Sequence, residues 1–91
     1  MIEASVESYL CEQVQKIGGE VRKVRWEGRR HAPDRRVMHP RLQVWVELKA
    51  PGKKPRSGQL REHERMRRLG EDVRVIDTLE GVDVLVAEVV G

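Results

Sequence analysis

The chain has 91 residues, the size of one domain, so we expect residues 1–91 to form a single unit with a modest core. Its formal net charge of +3 is mild, and its one cysteine excludes an internal disulfide bond and a zinc site built from cysteines. The sequence has no run of about 18 apolar residues and no charged-then-apolar leader. We therefore expect a cytoplasmic protein with neither a membrane span nor a signal peptide.

The first helix is predicted by apolar residues at helical spacing, and the pair Gly18 and Gly19 ends the run. The helix is predicted over residues 2–17, and its apolar residues are Ile2, Val6, Leu10, Val14 and Ile17. Glu7 lies on or beside the same inward face, where an unpaired carboxylate is costly to bury. It therefore needs a partner, either a shared metal ion, Lys49, or a lysine or arginine at the edge of the core.

Residues 20–26 alternate in a way that predicts a strand with two mixed faces, as in an edge strand or one that contacts DNA. A basic loop follows at residues 28–32. Positive side chains are concentrated between Arg22 and Arg41, and such clusters suit a phosphate backbone. His31 in this loop is either a proton carrier or a solvated histidine.

Two extended runs joined at Pro40 and Arg41 predict an antiparallel hairpin. In the second run, aliphatic residues alternate with Gln43, Trp45, Glu47 and Lys49, so Glu47 and Lys49 share one face. If the turn has two residues, the pairing sets Asp34 opposite Glu47. A longer loop or a bulge would shift this pairing by a residue or two.

Directly opposed strand residues have their Cβ atoms about 4.5–5.5 Å apart. Two carboxylates at that distance repel each other unless a cation lies between them. A hard ion such as Mg²⁺ binds oxygen ligands at about 2.1 Å and keeps several waters. The sequence therefore predicts a metal site at Asp34 and Glu47, with the carbonyl of Leu48 as a further oxygen ligand.

The second half of the chain begins with an exposed basic loop over residues 50–56, because two prolines and a glycine exclude regular structure. Ser57 is the predicted N-cap of a helix that Gly70 ends, with a thin apolar stripe of Leu60, Met66 and Leu69. Residues 73–76 then form a strand. A capping box from Asp77 to Glu80 starts a last helix, although residues 82–90 are also rich enough in β-branched residues to form a strand.

These residues resemble the VRR-NUC branch of the PD-(D/E)xK nucleases. The resemblance lies in residues 28–34 (GRRHAPD), residues 46–53 (VELKAPGK) and the helix with Gln59, Leu60, His63 and Glu64. One departure is the pair His31 and Ala32 before the proline, where the family more often has a glycine and an aliphatic residue. The resemblance implies an α/β, restriction-endonuclease-like fold, and the predicted order α-β-β-β-α-β-α, a mixed sheet flanked by helices, is compatible with it.

The resemblance also implies roles for individual residues. Asp34 and Glu47 would hold Mg²⁺ or Mn²⁺, Lys49 would act on the attacking water or on developing charge, and Gln59 would orient the site. An acid from the first helix would join them, for which Glu7 is the best match and Glu3 the competitor. Gln59 could instead be an ordinary solvated residue. The basic loops supply the predicted DNA contacts: Arg29, Arg30, Arg35, Lys53, Lys54 and Arg56.

The function that the resemblance implies is a metal-dependent endonuclease that hydrolyses phosphodiester bonds in branched, junction or flap DNA. Small relatives are similar to junction resolvases, so a homodimer is expected, with no small-molecule cofactor and no membrane partner. The alternative is an inactive DNA-binding module of a replication or repair assembly. RNA cleavage also stays open, because groups that contact phosphate carry no base information.

Overall fold

The computed structural model describes residues 3–90, without the side chains of Glu3 and Ala4. The elements are α1 (Glu3–Lys16), β1 (Glu20–Lys23), β2 (Arg35–His39), β3 (Leu42–Leu48), α2 (Ser57–Arg68), β4 (Val73–Ile76) and α3 (Leu79–Val90). This confirms the predicted order α-β-β-β-α-β-α and the helix at the end of the chain. Ile2, the first residue of the predicted helix, and the side chain of Glu3, the competitor of Glu7, lie outside the described residues.

The four strands form one mixed sheet in the order β1-β2-β3-β4, in which the first three are antiparallel and β4 runs parallel to β3. The parallel pair requires a crossover, which α2 supplies. In the hairpin His39 pairs with Leu42, so Pro40 and Arg41 are the two turn residues, as predicted. The hairpin register derived from the sequence is therefore confirmed.

The hydrophobic core lies between one face of the sheet and the helices α1 and α3. Val44, Val46 and Leu48 are buried on this face, as the alternation in β3 predicts. The apolar residues of α1 and α3 complete the core: Val6, Leu10, Val14, Val82 and Leu85. The opposite face of β3 is thereby left for polar residues.

Helix α2 differs from the predicted amphipathic pattern. Leu60 and Leu69 are 52% and 71% exposed, whereas His63 and Met66 are buried. The predicted apolar stripe is therefore wrong at two of its three residues, because α2 packs on the polar side of the sheet and not on the core formed with α1 and α3. A histidine takes the buried position.

Both predicted helix caps also differ from the structure. Helix α2 is capped by Arg56 instead of Ser57, and the Arg56 N–H donates to Gln59 Oε1 at 2.9 Å. At α3, Thr78 Oγ1 accepts the Gly81 N–H at 2.9 Å, which replaces the predicted pair of Asp77 and Glu80. At α3 the cap is therefore one residue after the predicted one, and at α2 the side chain of Gln59 accepts the N–H of the capping residue.

The connection from α1 to β1 depends on two glycines. Gly18 has a φ of +88°, the left-handed conformation that commonly ends a helix. A Cβ on Gly19 would lie 2.8 Å from the Met38 carbonyl oxygen and 2.8 Å from a Val14 methyl group. Gly19 thus lets α1 lie close against β2.

Within residues 3–90, every helix is too short or too polar to cross a lipid bilayer.

Candidate functional site

Four polar side chains meet on the sheet face opposite the core, and we call them the Glu47 cluster: Glu47, Lys49, Gln59 and His63. Glu47 alternates with Val46 and Leu48 and therefore points away from the aliphatic core, with only 12% of its side chain exposed. Lys49 Nζ lies 3.9 Å from Glu47 Oε2. The predicted common face of Glu47 and Lys49 is thus observed, and α2 supplies the other two members.

Gln59 is held at both ends of its side-chain amide. Its Nε2 donates to Glu47 Oε2 at 3.3 Å, and its Oε1 accepts the backbone N–H of Arg56 at 2.9 Å. The same side chain therefore caps α2 and contacts the carboxylate on β3. In this arrangement Gln59 fixes the position of Glu47 relative to the start of α2.

His63 was given no role by the sequence reasoning, although it follows Gln59 by one helical turn. It is fully buried, and its Nε2 lies 3.5 Å from Glu47 Oε1. Burial lowers the pKa of His63 below its ordinary value, and Arg67 and Lys49 lower that pKa further. Near neutral pH the ring is uncharged, so its contact with Glu47 joins a neutral imidazole to a carboxylate.

Asp34 directly precedes β2, in which Arg35 pairs with Val46. The paired residues end there, and continuing the same register by one step would set Asp34 opposite Glu47, where the sequence predicts it. The Asp34 side chain is half exposed, and its Oδ1 lies 2.8 Å from Arg35 Nη1. Asp34 is thus positioned by the hairpin and also paired with its own neighbour.

Arg35 is the second residue whose role the sequence reasoning missed. It is 7% exposed, its Nη2 donates to Glu7 Oε2 on α1, and its Nη1 faces Asp34. Burial by itself lowers the pKa of Arg35, but the hydrogen bond to Glu7 and the charge of Asp34 outweigh burial and leave that pKa above its ordinary value. Glu7 therefore has a cation as its partner, which is one of the alternatives that the sequence left open.

Asp34, Glu47 and Leu48 offer oxygen donors of the kind that a hard divalent ion prefers. Within residues 3–90, no group of three or more His, Cys, Asp or Glu side chains lies close enough together to hold a metal ion. Two carboxylates and one carbonyl, the set predicted from Asp34, Glu47 and Leu48, are nevertheless the ligand types that Mg²⁺ accepts while it keeps several waters. In chemical type these three donors fit such an ion, whereas the Glu7 carboxylate accepts a hydrogen bond from Arg35.

The predicted DNA contacts fall into three groups. Arg30, Lys53, Lys54 and Arg56 are exposed. Arg29 has 43% of its side chain exposed but pairs with Glu62 on α2. Arg35 is buried between two acids, so it does not belong to the exposed basic surface on which the sequence reasoning placed it.

Comparisons with known proteins identify relatives of this chain. The chain is 45% identical over 86 residues to the "Putative nuclease p44" of Acyrthosiphon pisum secondary endosymbiont phage 1, which covers 93% of this chain and 92% of that protein. It is 42% identical to a solved structure described as a VRR_NUC domain, with a TM-score of 0.83 over 93% of this chain and 94% of that one. The chain belongs to the VRR-NUC family. No family model matches it.

Membership of the VRR-NUC family confirms the resemblance that the sequence motifs suggested and the fold expected from it. In this VRR-NUC domain, the Glu-x-Lys motif lies at the end of β3, the glutamine lies in the first turn of α2, and the aspartate precedes β2. The motif residues lie within residues 34–59, and the hydrogen bond and ion pair of Glu47 bring Lys49 and Gln59 to one face of the sheet.

Proposed function

We propose that this VRR-NUC domain is a metal-dependent endonuclease that hydrolyses phosphodiester bonds in structured DNA. The supporting observation is the Glu47 cluster, in which an acid, an ammonium group and an amide meet, while Asp34 directly precedes the strand that pairs with β3. The names of the two relatives, a nuclease and a VRR_NUC domain, support the same activity. We further propose that residues 1–91 act as one domain.

The carboxylates of Asp34 and Glu47 and the carbonyl of Leu48 would hold Mg²⁺ or Mn²⁺. A bound ion supplies a Lewis acid that polarises a phosphoryl oxygen and lowers the pKa of water. Glu7 is the candidate acid for a second ion, and it would first have to leave Arg35. The buried guanidinium in turn balances the charge of Glu7 and Asp34 as they stand.

Lys49 brings a positive charge to the reacting phosphate. Its side chain is 17% exposed, so water screens the ammonium group less than it screens a surface lysine. From this position Lys49 would stabilise negative charge that develops on the phosphate and orient the attacking water. Gln59 acts differently, because both ends of its amide are bound and it serves to hold Glu47 in place.

The exposed basic residues give the DNA a path past the site. Arg30 lies in the loop before Asp34, and Lys53, Lys54 and Arg56 lie in the loop between Glu47 and α2. Positive side chains of this kind bind phosphates and release condensed counterions. Branched DNA has two strands to cut, so we propose a homodimer, and C₂ dimers are the commonest assembly of soluble chains.

Cleavage of a labelled DNA panel tests the proposal. Duplex, flap, splayed and four-way substrates, with matching RNA strands, are incubated with the protein in Mg²⁺, Mn²⁺ or EDTA. We expect metal-dependent cleavage of branched DNA by the wild type and a loss of at least roughly a hundredfold in Asp34→Ala and Lys49→Ala. The exposed Lys16→Ala is the matched control and should cut normally.

Circular dichroism confirms that each variant is folded, and mass measurement in solution tests the homodimer. A wild type that binds branched DNA but never cuts it in either metal would contradict the proposal. That result would favour an inactive DNA-binding module instead.

A further inference from the structure

A cavity of about 510 Å³ opens beside Asp34, and the roles proposed above use only its edge. Its size is within the range of small-molecule sites, roughly 300–1,000 Å³. Strand β1, the basic loop and the start of the hairpin form its walls. The lining residues that bear on ligand binding are Lys23, Arg25, Trp26, Arg29, His31 and Asp34.

The charge of this cavity favours an anion away from Asp34. Lys23 and Arg25 are exposed, and neither forms an ion pair with any side chain that the structure describes. Arg29 adds a third positive charge, partly balanced by Glu62. A phosphate group can therefore bind at the β1 side of the cavity without displacing an existing partner of Lys23 or Arg25.

Trp26 provides an apolar wall with a fixed orientation. Its indole N–H donates to the Pro33 carbonyl at 2.7 Å, and its ring lies 4.9 Å from the ring of Trp45. Because its one donor is used, Trp26 has only its ring surface left to offer a ligand. Rings and cations in one groove are the arrangement by which proteins bind unpaired nucleotides, with the base stacked and the phosphate neutralised.

The basic loop that lines the cavity contains one residue in a strained conformation. His31 has a φ of +67°, which is rare for a residue with a side chain. Its ring packs so closely against Gly58 of α2 that a Cβ there would lie 2.9 Å away. Backbone strain is kept where surrounding contacts enforce it, often at ligand sites.

We propose that this cavity binds one unpaired nucleotide next to the scissile phosphate, with its base against Trp26 and its phosphate against Lys23 and Arg25. The proposal rests on the proposed function, because Asp34 borders both sites. It also narrows the substrate class: a base paired within a continuous duplex is stacked on its neighbours and cannot reach Trp26. A branch, a flap or a splayed end supplies the free nucleotide.

Binding measured in EDTA tests this site without relying on cleavage. Fluorescence anisotropy is recorded with a short labelled single strand and with a blunt duplex of the same sequence. We expect Trp26→Leu to weaken single-strand binding by roughly tenfold or more, as for loss of one stacked base, and to leave duplex binding unchanged. Tyr9→Leu on α1 is the matched aromatic control and should bind both ligands normally.

A strand in which one nucleotide lacks its base gives an independent measurement. The wild type should bind this strand more weakly than the intact one, whereas Trp26→Leu should bind both equally, because the contact is already lost. Trp26→Phe keeps an aromatic ring and should restore most of the difference in affinity between the intact and the abasic strand. This variant also tests the site if Trp26→Leu does not fold.

If Trp26→Leu lost equal affinity for the single strand and the duplex, or lost affinity for neither, the proposed nucleotide site would be overturned. So would an abasic strand that the wild type binds as tightly as the intact one. These results are distinct from failure of the proposed function, since a protein that never cuts DNA in Mg²⁺ can still show base-dependent binding at Trp26.

Discussion

Glu47 is the residue on which the site depends. Its neighbours explain how a carboxylate that is mostly shielded from water is held in place. Lys49 balances its charge, Gln59 donates a hydrogen bond to it, and His63 lies against its second oxygen. Three neighbours on two elements leave the carboxylate little freedom to rotate. A fixed carboxylate is what a metal or phosphate site requires, because misplacement of a ligand by about 1 Å costs much of the activity.

His63 gives a test of this positioning at the scale of one residue. Neither ring nitrogen has a hydrogen-bond partner among the described residues, so His63→Leu removes two unsatisfied polar atoms from a buried site. We expect the free energy of unfolding, measured in urea, to change by less than about 1 kcal/mol. Metal-dependent cleavage should fall clearly, because Glu47 loses its neighbour.

His63→Gln is the conservative control, since its amide can reach Glu47 and should restore part of the cleavage rate with an unchanged KM for DNA. If His63→Leu cut DNA as fast as the wild type, His63 would be only a packing residue.

At the scale of elements, close approach between α1 and the hairpin depends on the absence of a side chain at Gly19. Helix α1 carries Glu7 and β2 carries Arg35, so the spacing of these two elements sets the ion pair between them. Two hydrogen bonds of Gln59 fix the start of α2 relative to Glu47. The contacts around the site therefore depend on how three elements pack.

Gly19→Ala should destabilise the fold. The new methyl group would lie 2.8 Å from the Met38 carbonyl oxygen, a backbone atom that can move only with the strand. Overpacking of this kind costs about 1–3 kcal/mol, which urea denaturation would measure. Gly58→Ala is the control: its added Cβ meets the end of the His31 side chain, which can rotate, so we expect a change below about 1 kcal/mol. Equal effects of the two substitutions would refute the explanation.

A second test at this scale concerns the link between β4 and α3. Arg74 donates to Asp72 Oδ1 and to Glu88 Oε2, each at 2.6 Å. The hydrogen bond from Arg74 lowers the pKa of Glu88 below its ordinary value of 4.5. A lowered carboxyl pKa stabilises the fold above the unfolded-state pKa, and this stabilisation is lost as the pH falls through the folded-state pKa.

Arg74→Gln should therefore lower the free energy of unfolding by about 0.5–1 kcal/mol at neutral pH, the range of a partly exposed ion pair with good geometry. The difference from the wild type should shrink as the pH falls below about 4, measured by urea denaturation at several pH values. Arg22→Gln removes a pair with Glu20 in which both side chains are about 60% exposed, and it should have no measurable effect. A difference that did not depend on pH would rule out Glu88 as its source.

At the scale of the whole molecule, exposed basic residues precede and follow the acids in the chain, with Arg30 before Asp34 and with Lys53, Lys54 and Arg56 after Glu47. The acids would attract a divalent ion and the basic residues would attract DNA. Arg35 opposes the first of these effects, because it holds a positive charge between Glu7 and Asp34.

Thermal melting with and without Mn²⁺ measures how strongly the acids bind an ion against the opposing charge of Arg35. An ion at about a hundred times its Kd stabilises the folded state by about 2.7 kcal/mol, and each kcal/mol raises the Tm by roughly 4–8 °C in a domain of this size. We expect Mn²⁺ to raise the Tm of the wild type. This rise in Tm should be absent in Asp34→Ala and larger in Arg35→Met. The exposed Arg30→Met should behave as the wild type, whereas a gain that survives in Asp34→Ala would place the ion elsewhere.

The sequence by itself determined the order of the elements, the hairpin register and the common face of Glu47 and Lys49. All three follow from local rules: the period of a strand, the spacing of a helix and the turn residues Pro40 and Arg41. These rules act between residues that are close in the chain or paired across one turn. They also led to errors at two helix caps: Asp77 and Thr78 are both suitable caps of α3, and at α2 the side chain of Gln59 takes the capping role predicted for Ser57.

Only the tertiary structure decided which side chains complete the site. His63 meets Glu47, and Arg35 meets Glu7, because α2 and α1 pack on opposite faces of the sheet. The periodicity of α2 alone favoured Leu60 and Leu69 as its buried residues, since an apolar stripe is expected to face a core. The surface that α2 covers is polar, and that property belongs to the strand beneath it, so it could not be read from the helix.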